Sequence, residues 1–281
     1  MKNTILDDED FAFFRENGFL IKRDFLPRSF MEDANEFVDQ FAKTKVEEWF
    51  AAGLLKEAAL GKFSNYRESF IDIWQLAGMP KYSRQIHHYS IHPSMYKLLN
   101  DETLLKAVKK LLAAERVYAG GTQNYRVKSG LLPWAVLDWH VDRYYWEEHE
   151  DPDFEFLICW FPLQDMIDDG GGVEVIPLSE RSGYDLRHQR KDVNIPSALL
   201  EGMESIKARL NTGDMLFFNS RVIHRSITYK HLQPFWSIDL RYESEDYPST
   251  DTQKYGFLVD GGSRKTLNTW LKKKEPKNQP V

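Results

Sequence analysis

Trp139-His140-Val141-Asp142-Arg143-Tyr144-Tyr145-Trp146 is the stretch from which the rest of the chain is read. His140 and Asp142 are one position apart, and on an extended strand residues i and i+2 share a face. The imidazole and the carboxylate then converge on one point, which suits a divalent cation. A histidine from elsewhere would complete a two-histidine, one-carboxylate set of the kind that leaves open positions on Fe(II). A lone His-x-Asp is common, so the reading depends on the rest of the chain.

The composition is that of a folded protein. Of 281 residues, 42% are hydrophobic and 14% aromatic, enough for a large core or a lined pocket. The net charge of −6 gives no electrostatic case for nucleic acid. The single cysteine, Cys159, excludes an internal disulfide and a cysteine zinc site. Its setting, Phe156-Leu157-Ile158-Cys159-Trp160-Phe161, points to burial. There is no apolar leader, no run of eighteen apolar residues and no C-terminal Ser-Lys-Leu. These features lead to the expectation of a soluble cytoplasmic protein without membrane or nucleic-acid partners.

Asp7 to Asp10 place carboxylates at the start of a helix that Gly18 ends, and Phe19-Leu20-Ile21 reads as a short strand. Helical periodicity runs from Ser29 to about Leu60. Phe70 to Leu76 is apolar, and Ser94 to Asn100 and Thr103 to Ala113 read as short helices. The adjacent pair His87-His88 and His92 read as structural. Strands dominate from Arg116. They are expected at Arg116 to Ala119, Thr122 to Lys128, Leu137 to Asp142, Phe156 to Leu163, Gly172 to Pro177, Ser205 to Leu210, Asp214 to Phe218 and Phe235 to Tyr242. Helices followed by many strands argue a mainly β fold with flanking α, not a βαβ fold. One domain over residues 1–281 is expected: a helical layer to 115, a β core from 116 to 245 and a C-terminal extension from 246.

The third ligand is sought downstream. Gly213-Asp214-Met215-Leu216-Phe217-Phe218-Asn219 leads through a turn to Ile223-His224-Arg225-Ser226. A histidine at the next strand start is well placed, and His188 and His231 are the competitors, both in polar turns. At this point the chain resembles the phytanoyl-CoA dioxygenase family of Fe(II)/2-oxoglutarate oxygenases. The likeness is carried in order by Asn17-Gly18-Phe19-Leu20-Ile21, Trp139-His140-Val141-Asp142, Gly170 to Pro177, Ile223-His224-Arg225-Ser226 and Trp236 to Tyr242. It implies a double-stranded β-helix (a jelly-roll, cupin-like core). It also implies Fe(II) on His140, Asp142 and His224, with 2-oxoglutarate and O2 as co-substrates and a small-molecule metabolite as substrate. Gln123, Asn124 and Ser226 match positions that often hydrogen-bond the co-substrate in this family, and Gln123 and Asn124 read equally as ordinary strand-edge amides. Tyr144, Tyr145, Trp146 and Phe235 are candidates for the substrate pocket. The acidic run Glu147 to Asp151 reads as a solvated surface.

Two departures stand out. The family usually carries an arginine about eleven positions after the distal histidine, for the far carboxylate of 2-oxoglutarate; here that position is Phe235. A shifted register, another cation (Arg225, Lys230, Arg126 or Lys128), a different co-substrate, or a metal-binding jelly roll with weakened activity would each account for it. Arg241 shares the strand face of Phe235 but lies six residues on, and reads as structural or as serving the other end of the barrel. Leu178-Ser179-Glu180 replaces the usual Gly-Ser-His.

Overall fold

The computed structural model describes residues 6–57, 61–81, 85–87, 93–120, 122–145, 154–168, 170–177 and 194–259. Trp146, the acidic run 147–151, His88, His92, residues 178–193 with His188, and residues 260–281 lie outside them, as do the side chains of His87 and Tyr144.

Helix α1 (Asp8–Asn17) is capped as its acidic start requires. Asp7 and Asp10 exchange side-chain to backbone hydrogen bonds, and Gly18 closes the helix at φ 76°, a conformation open to glycine. Strand β1 (Phe19–Lys22) follows. Helix α2 (Arg28–Ala51) is shorter than its sequence pattern, which runs to about Leu60. Ala52 caps it and Gly53 turns at φ 75°. Its apolar stripe includes Phe30, Ala34, Phe37, Val38, Ala42 and Val46, all buried. Helices α3 (Phe70–Leu76), α4 (Pro93–Leu99) and α5 (Glu102–Leu112) complete the N-terminal layer.

The β elements are β2 (Gln85–His87), β3 (Val117–Ala119), β4 (Thr122–Lys128), β5 (Phe156–Pro162), β6 (Val173–Val175), β7 (Ile206–Ala208), β8 (Met215–Asn219), β9 (His224–Ser226), β10 (Phe235–Ser244) and β11 (Phe257–Val259). Helix α6 (Thr250–Tyr255) precedes β11, which pairs with β3. The large antiparallel sheet runs β1-β8-β5-β10-β3-β11, with β4 joined to β10 and β2 to β4; the small sheet is β7-β6-β9. This is the jelly-roll arrangement of two facing sheets.

Strand alternation sorts the core. Leu157, Cys159 and Phe161 of β5, Met215 and Phe217 of β8, and Trp236, Ile238 and Leu240 of β10 join the helices on the outer face. Phe30 meets Phe161 edge-on at 5.4 Å, and Phe37 meets Tyr125 at 6.0 Å. The alternate residues Phe156, Ile158, Trp160, Leu216, Phe218 and Phe235 face the small sheet and form a second apolar cluster with Val173 and Val175. With both faces covered, every residue of β5 is buried. The candidate site lies between the two sheets.

Candidate metal centre

Residues 137–142 do not form the expected strand. His140 makes an isolated bridge to His224, with His140 N–H donating to His224 O at 2.9 Å and His224 N–H to His140 O at 3.0 Å. The chain then turns, and Asp142 opens a 3-10 helix, Asp142–Tyr145, in which Arg143 N–H donates to Ser220 O at 2.9 Å. The convergence of His140 and Asp142 therefore comes from a bridge followed by a turn. Strand alternation beyond Asp142 does not apply, and the ring of Tyr145 lies beside His140, 6.4 Å between centroids.

Residues 84 positions apart in sequence meet here. His140 Nε2 lies 3.4 Å from Asp142 Oδ1, and His224 Nε2 lies 3.8 Å from the same oxygen. Ligand atoms of all three residues fall within 4.8 Å of one another, and all three residues are buried. Each imidazole is held from behind. Asp138 O lies 2.6 Å from His140 Nδ1, and Val222 O lies 2.9 Å from His224 Nδ1. A carbonyl accepts only from N–H, so Nδ1 carries the proton and each Nε2 lone pair points inward. Arg241 Nη2 donates to Asp142 Oδ2 at 2.8 Å, which leaves Oδ1 to face the imidazoles. Burial and the neighbouring His140 push the His224 imidazole down to about 3, so it is neutral near pH 7. Burial opposes ionisation of Asp142, but Arg241 and the two histidines outweigh it and hold the carboxyl well below the usual range. Two imidazole nitrogens and one carboxylate oxygen form a donor set that fits Fe(II).

The other candidates are placed as follows. In the β6–β9 register His224 opposes Val175 and Ser226 opposes Val173, so these face inward. Arg225 opposes Glu174 on the other face, donates to its Oε2 at 2.7 Å and lies 4.5 Å over the Trp139 ring. Its guanidinium is therefore held by Glu174 and Trp139, and Arg225 is also among the residues lining the small cavity beside the three candidate ligands. Gln123 also belongs to backbone architecture: its amide nitrogen donates to Gly120 O and Arg241 O, and its oxygen accepts from Arg241 N. Asn124 faces inward and donates to Asp239 Oδ1 at 2.6 Å. Lys230 is exposed, and His231 lies near Asp168. Phe235 is buried against Tyr229 and beneath Gly171, where an added Cβ would meet its ring at 2.8 Å.

The sequence reading set Arg241 aside, and the structure puts it against a candidate ligand. It also brings Arg126, whose Nε donates to Asp239 Oδ2 at 2.8 Å, and Lys128 onto the same inner wall. The signal was the polar alternation Ser237, Asp239, Arg241, Glu243 inside a buried strand. A small cavity is lined by His140, Asp142, His224, Ser226, Arg126 and Lys128, among others. A larger one of about 470 Å³ lies by α1 and α5, where Arg221 pairs with Glu155. It holds none of these groups.

Lys128 is 2% exposed. Its Nζ donates to Gly171 O at 2.8 Å and lies 3.4 Å from Gly172 O. Burial first, and Arg126 second, push its pKa down to about 7. The unfolded chain therefore binds more protons between pH 7 and about 10.4, and stability rises with pH across that window. Below pH 7 the cost of the buried ammonium is fully present. Lys128→Met is expected to stabilise the ligand-free protein at pH 6 by about 2 kcal/mol, after allowing for the lost bond to Gly171. The gain should shrink as pH approaches 10, as urea unfolding at several pH values would show.

Residues 14–230 match the phytanoyl-CoA dioxygenase family. This chain belongs to that family. Membership of the phytanoyl-CoA dioxygenase family makes it an oxidoreductase. A relative, dioxygenase lolE1 of Epichloe uncinata, is 27% identical over 217 residues, 77% of this chain and 75% of lolE1. Two solved structures share the fold. The non-heme alpha ketoglutarate dependent carbocyclase SnoK from nogalamycin biosynthesis is 14% identical, with TM-score 0.57 over 91% of this chain and 97% of SnoK. EctD from S. alaskensis, with 2-oxoglutarate and 5-hydroxyectoine, is 17% identical, with TM-score 0.57 over 88% of this chain and 79% of EctD. No described helix is long and apolar enough to cross a membrane.

Proposed function

We propose that this chain is an Fe(II)- and 2-oxoglutarate-dependent oxygenase that oxidises a small-molecule metabolite by hydroxylation, desaturation or cyclisation. The observation that carries this reading is the buried convergence of His140, Asp142 and His224, with both Nδ1 atoms tied to carbonyls. These three residues would hold the iron. Bound there with 2-oxoglutarate and O2, iron supplies the oxidising power to break a substrate C–H bond.

The protein's own residues prepare the site. Asp138 and Val222 fix the imidazole tautomers, and Arg241 keeps Asp142 ionised and turned. Ile158, Trp160, Val173 and Phe218 line the cavity with apolar surface, which limits water near the reacting atoms. Tyr145, half exposed beside His140, stands where a substrate would approach. A small-molecule substrate is in keeping with the relatives, among them a carbocyclase of nogalamycin biosynthesis and a protein solved with 5-hydroxyectoine.

The test is succinate formation. The full-length chain, supplied with Fe(II), 2-oxoglutarate and a pool of small metabolites in air, should form succinate and consume O2 in equal amounts. Removal of either iron or O2 should stop it. Turnover that persists without O2 would instead mark a hydrolase or isomerase on this barrel, and metal-dependent thermal stabilisation without succinate would mark a binding protein.

A further inference from the structure

We propose that Lys128 receives the far carboxylate of the 2-oxo acid, so that β4 supplies the cation absent from β10 at Phe235. This rests on 2-oxoglutarate being the co-substrate.

The register carries the argument. Phe235 of β10 is paired directly with Lys128 of β4, Ser237 with Arg126, and Asp239 with Asn124. Residues opposite one another in an antiparallel pair share a face. Tyr125 and Val127 belong to the outer cluster with the helices, so Asn124, Arg126 and Lys128 face inward, toward the candidate metal centre. A cation at Lys128 therefore occupies the same wall as one at position 235, one strand across.

Charge accounting singles out Lys128. Of the basic residues near this wall, Arg126 is held by Asp239, Arg241 by Asp142 and Arg225 by Glu174. Lys128 is buried in the same cavity, and its ammonium donates to two glycine carbonyls. Among the described residues no carboxylate forms an ion pair with it. An ammonium has three donors, so one N–H is left for an anion. A buried charge without a counter-charge is costly, and an anionic ligand in the cavity would offset that cost.

The cavity agrees. Lys128 lines the same small cavity as His140, Asp142 and His224. Ser237 gives a second, independent sign. It is 1% exposed on this inward face, diagonal to Lys128, and its hydroxyl has no hydrogen-bond partner. A carboxylate held by Lys128 would lie within reach of a donor of this kind.

The experiment compares two acids on the Fe(II)-loaded, full-length chain under anaerobic conditions. 2-Oxoglutarate and 2-oxopentanoate share the chelating end, and only the first has a far carboxylate. Each is titrated by the visible charge-transfer band of its iron chelate. Lys128→Met should weaken 2-oxoglutarate at least about 30-fold and leave 2-oxopentanoate within about threefold. Lys128→Arg should recover part of the loss. Iron content and thermal unfolding of each variant report folding separately. Unchanged affinity for 2-oxoglutarate, or equal losses for both acids, would overturn the assignment to Lys128. A wild-type chain that binds iron but gives no band with either acid would overturn the 2-oxoglutarate reading itself.

Discussion

Replacing Arg241 with leucine is expected to lower both stability and metal affinity. Arg241 Nη2 and Asp142 Oδ2 are 2.8 Å apart, with both residues under 8% exposed. Removing one partner of a buried pair leaves the other charge uncompensated, at a cost of about 3–5 kcal/mol. Asp142 can relieve part of this cost by taking up a proton, so the lower end of that range is expected, and a protonated carboxyl is a poor ligand. Iron affinity should therefore fall by roughly 10–100-fold, as is usual when a partner behind a ligand is lost.

The pH dependence has a definite sign. The folded-state pKa of Asp142 is depressed, so the stabilisation from this pair is present above about pH 3.9 and is lost as pH falls below it. Without Arg241 the carboxyl should titrate at higher pH, and iron should be released at a higher pH than from the wild type. Urea unfolding and iron titration between pH 5 and 8 measure both effects. Wild-type stability and iron affinity in the variant would show that Arg241 does not govern Asp142.

Much of the fold was legible because it is written in periodicity. The buried run Phe156 to Phe161, the polar alternation of β10 and the capped start of α1 each signal their element locally. Phe235 also appeared in the sequence as a departure from the family pattern. The answer to that departure was not legible, because the pairing of Phe235 with Lys128 is a contact between strands more than a hundred residues apart. The same holds for Arg241: its distance along β10 from Phe235 was visible, but the turn that brings Asp142 to the other end of that strand was not. The segment 137–142 was misread for a related reason. Its apolar residues suit a strand, but its pairing is confined to two isolated bridges at His140, to Asn194 and His224, before the chain turns. The ion pair of Arg225 with Glu174 was likewise not legible, because it follows from the register of β9 with β6.

The largest expected effect belongs to the three converging residues. Losing His140 removes one of three donors, and the remaining pair, His224 and Asp142, cannot close one face of the ion. The loss of affinity should exceed the roughly 100-fold upper range for groups that only support a ligand. His140→Ala should still fold, because the bridge to His224 is made by backbone atoms that the substitution keeps. The most direct measurement is anaerobic: iron per chain, together with the visible band on adding 2-oxoglutarate, for wild type and His140→Ala side by side. The wild type should hold one Fe(II) and develop the band, and His140→Ala should do neither. Stoichiometric iron and an undiminished band in His140→Ala would contradict the assignment of this site.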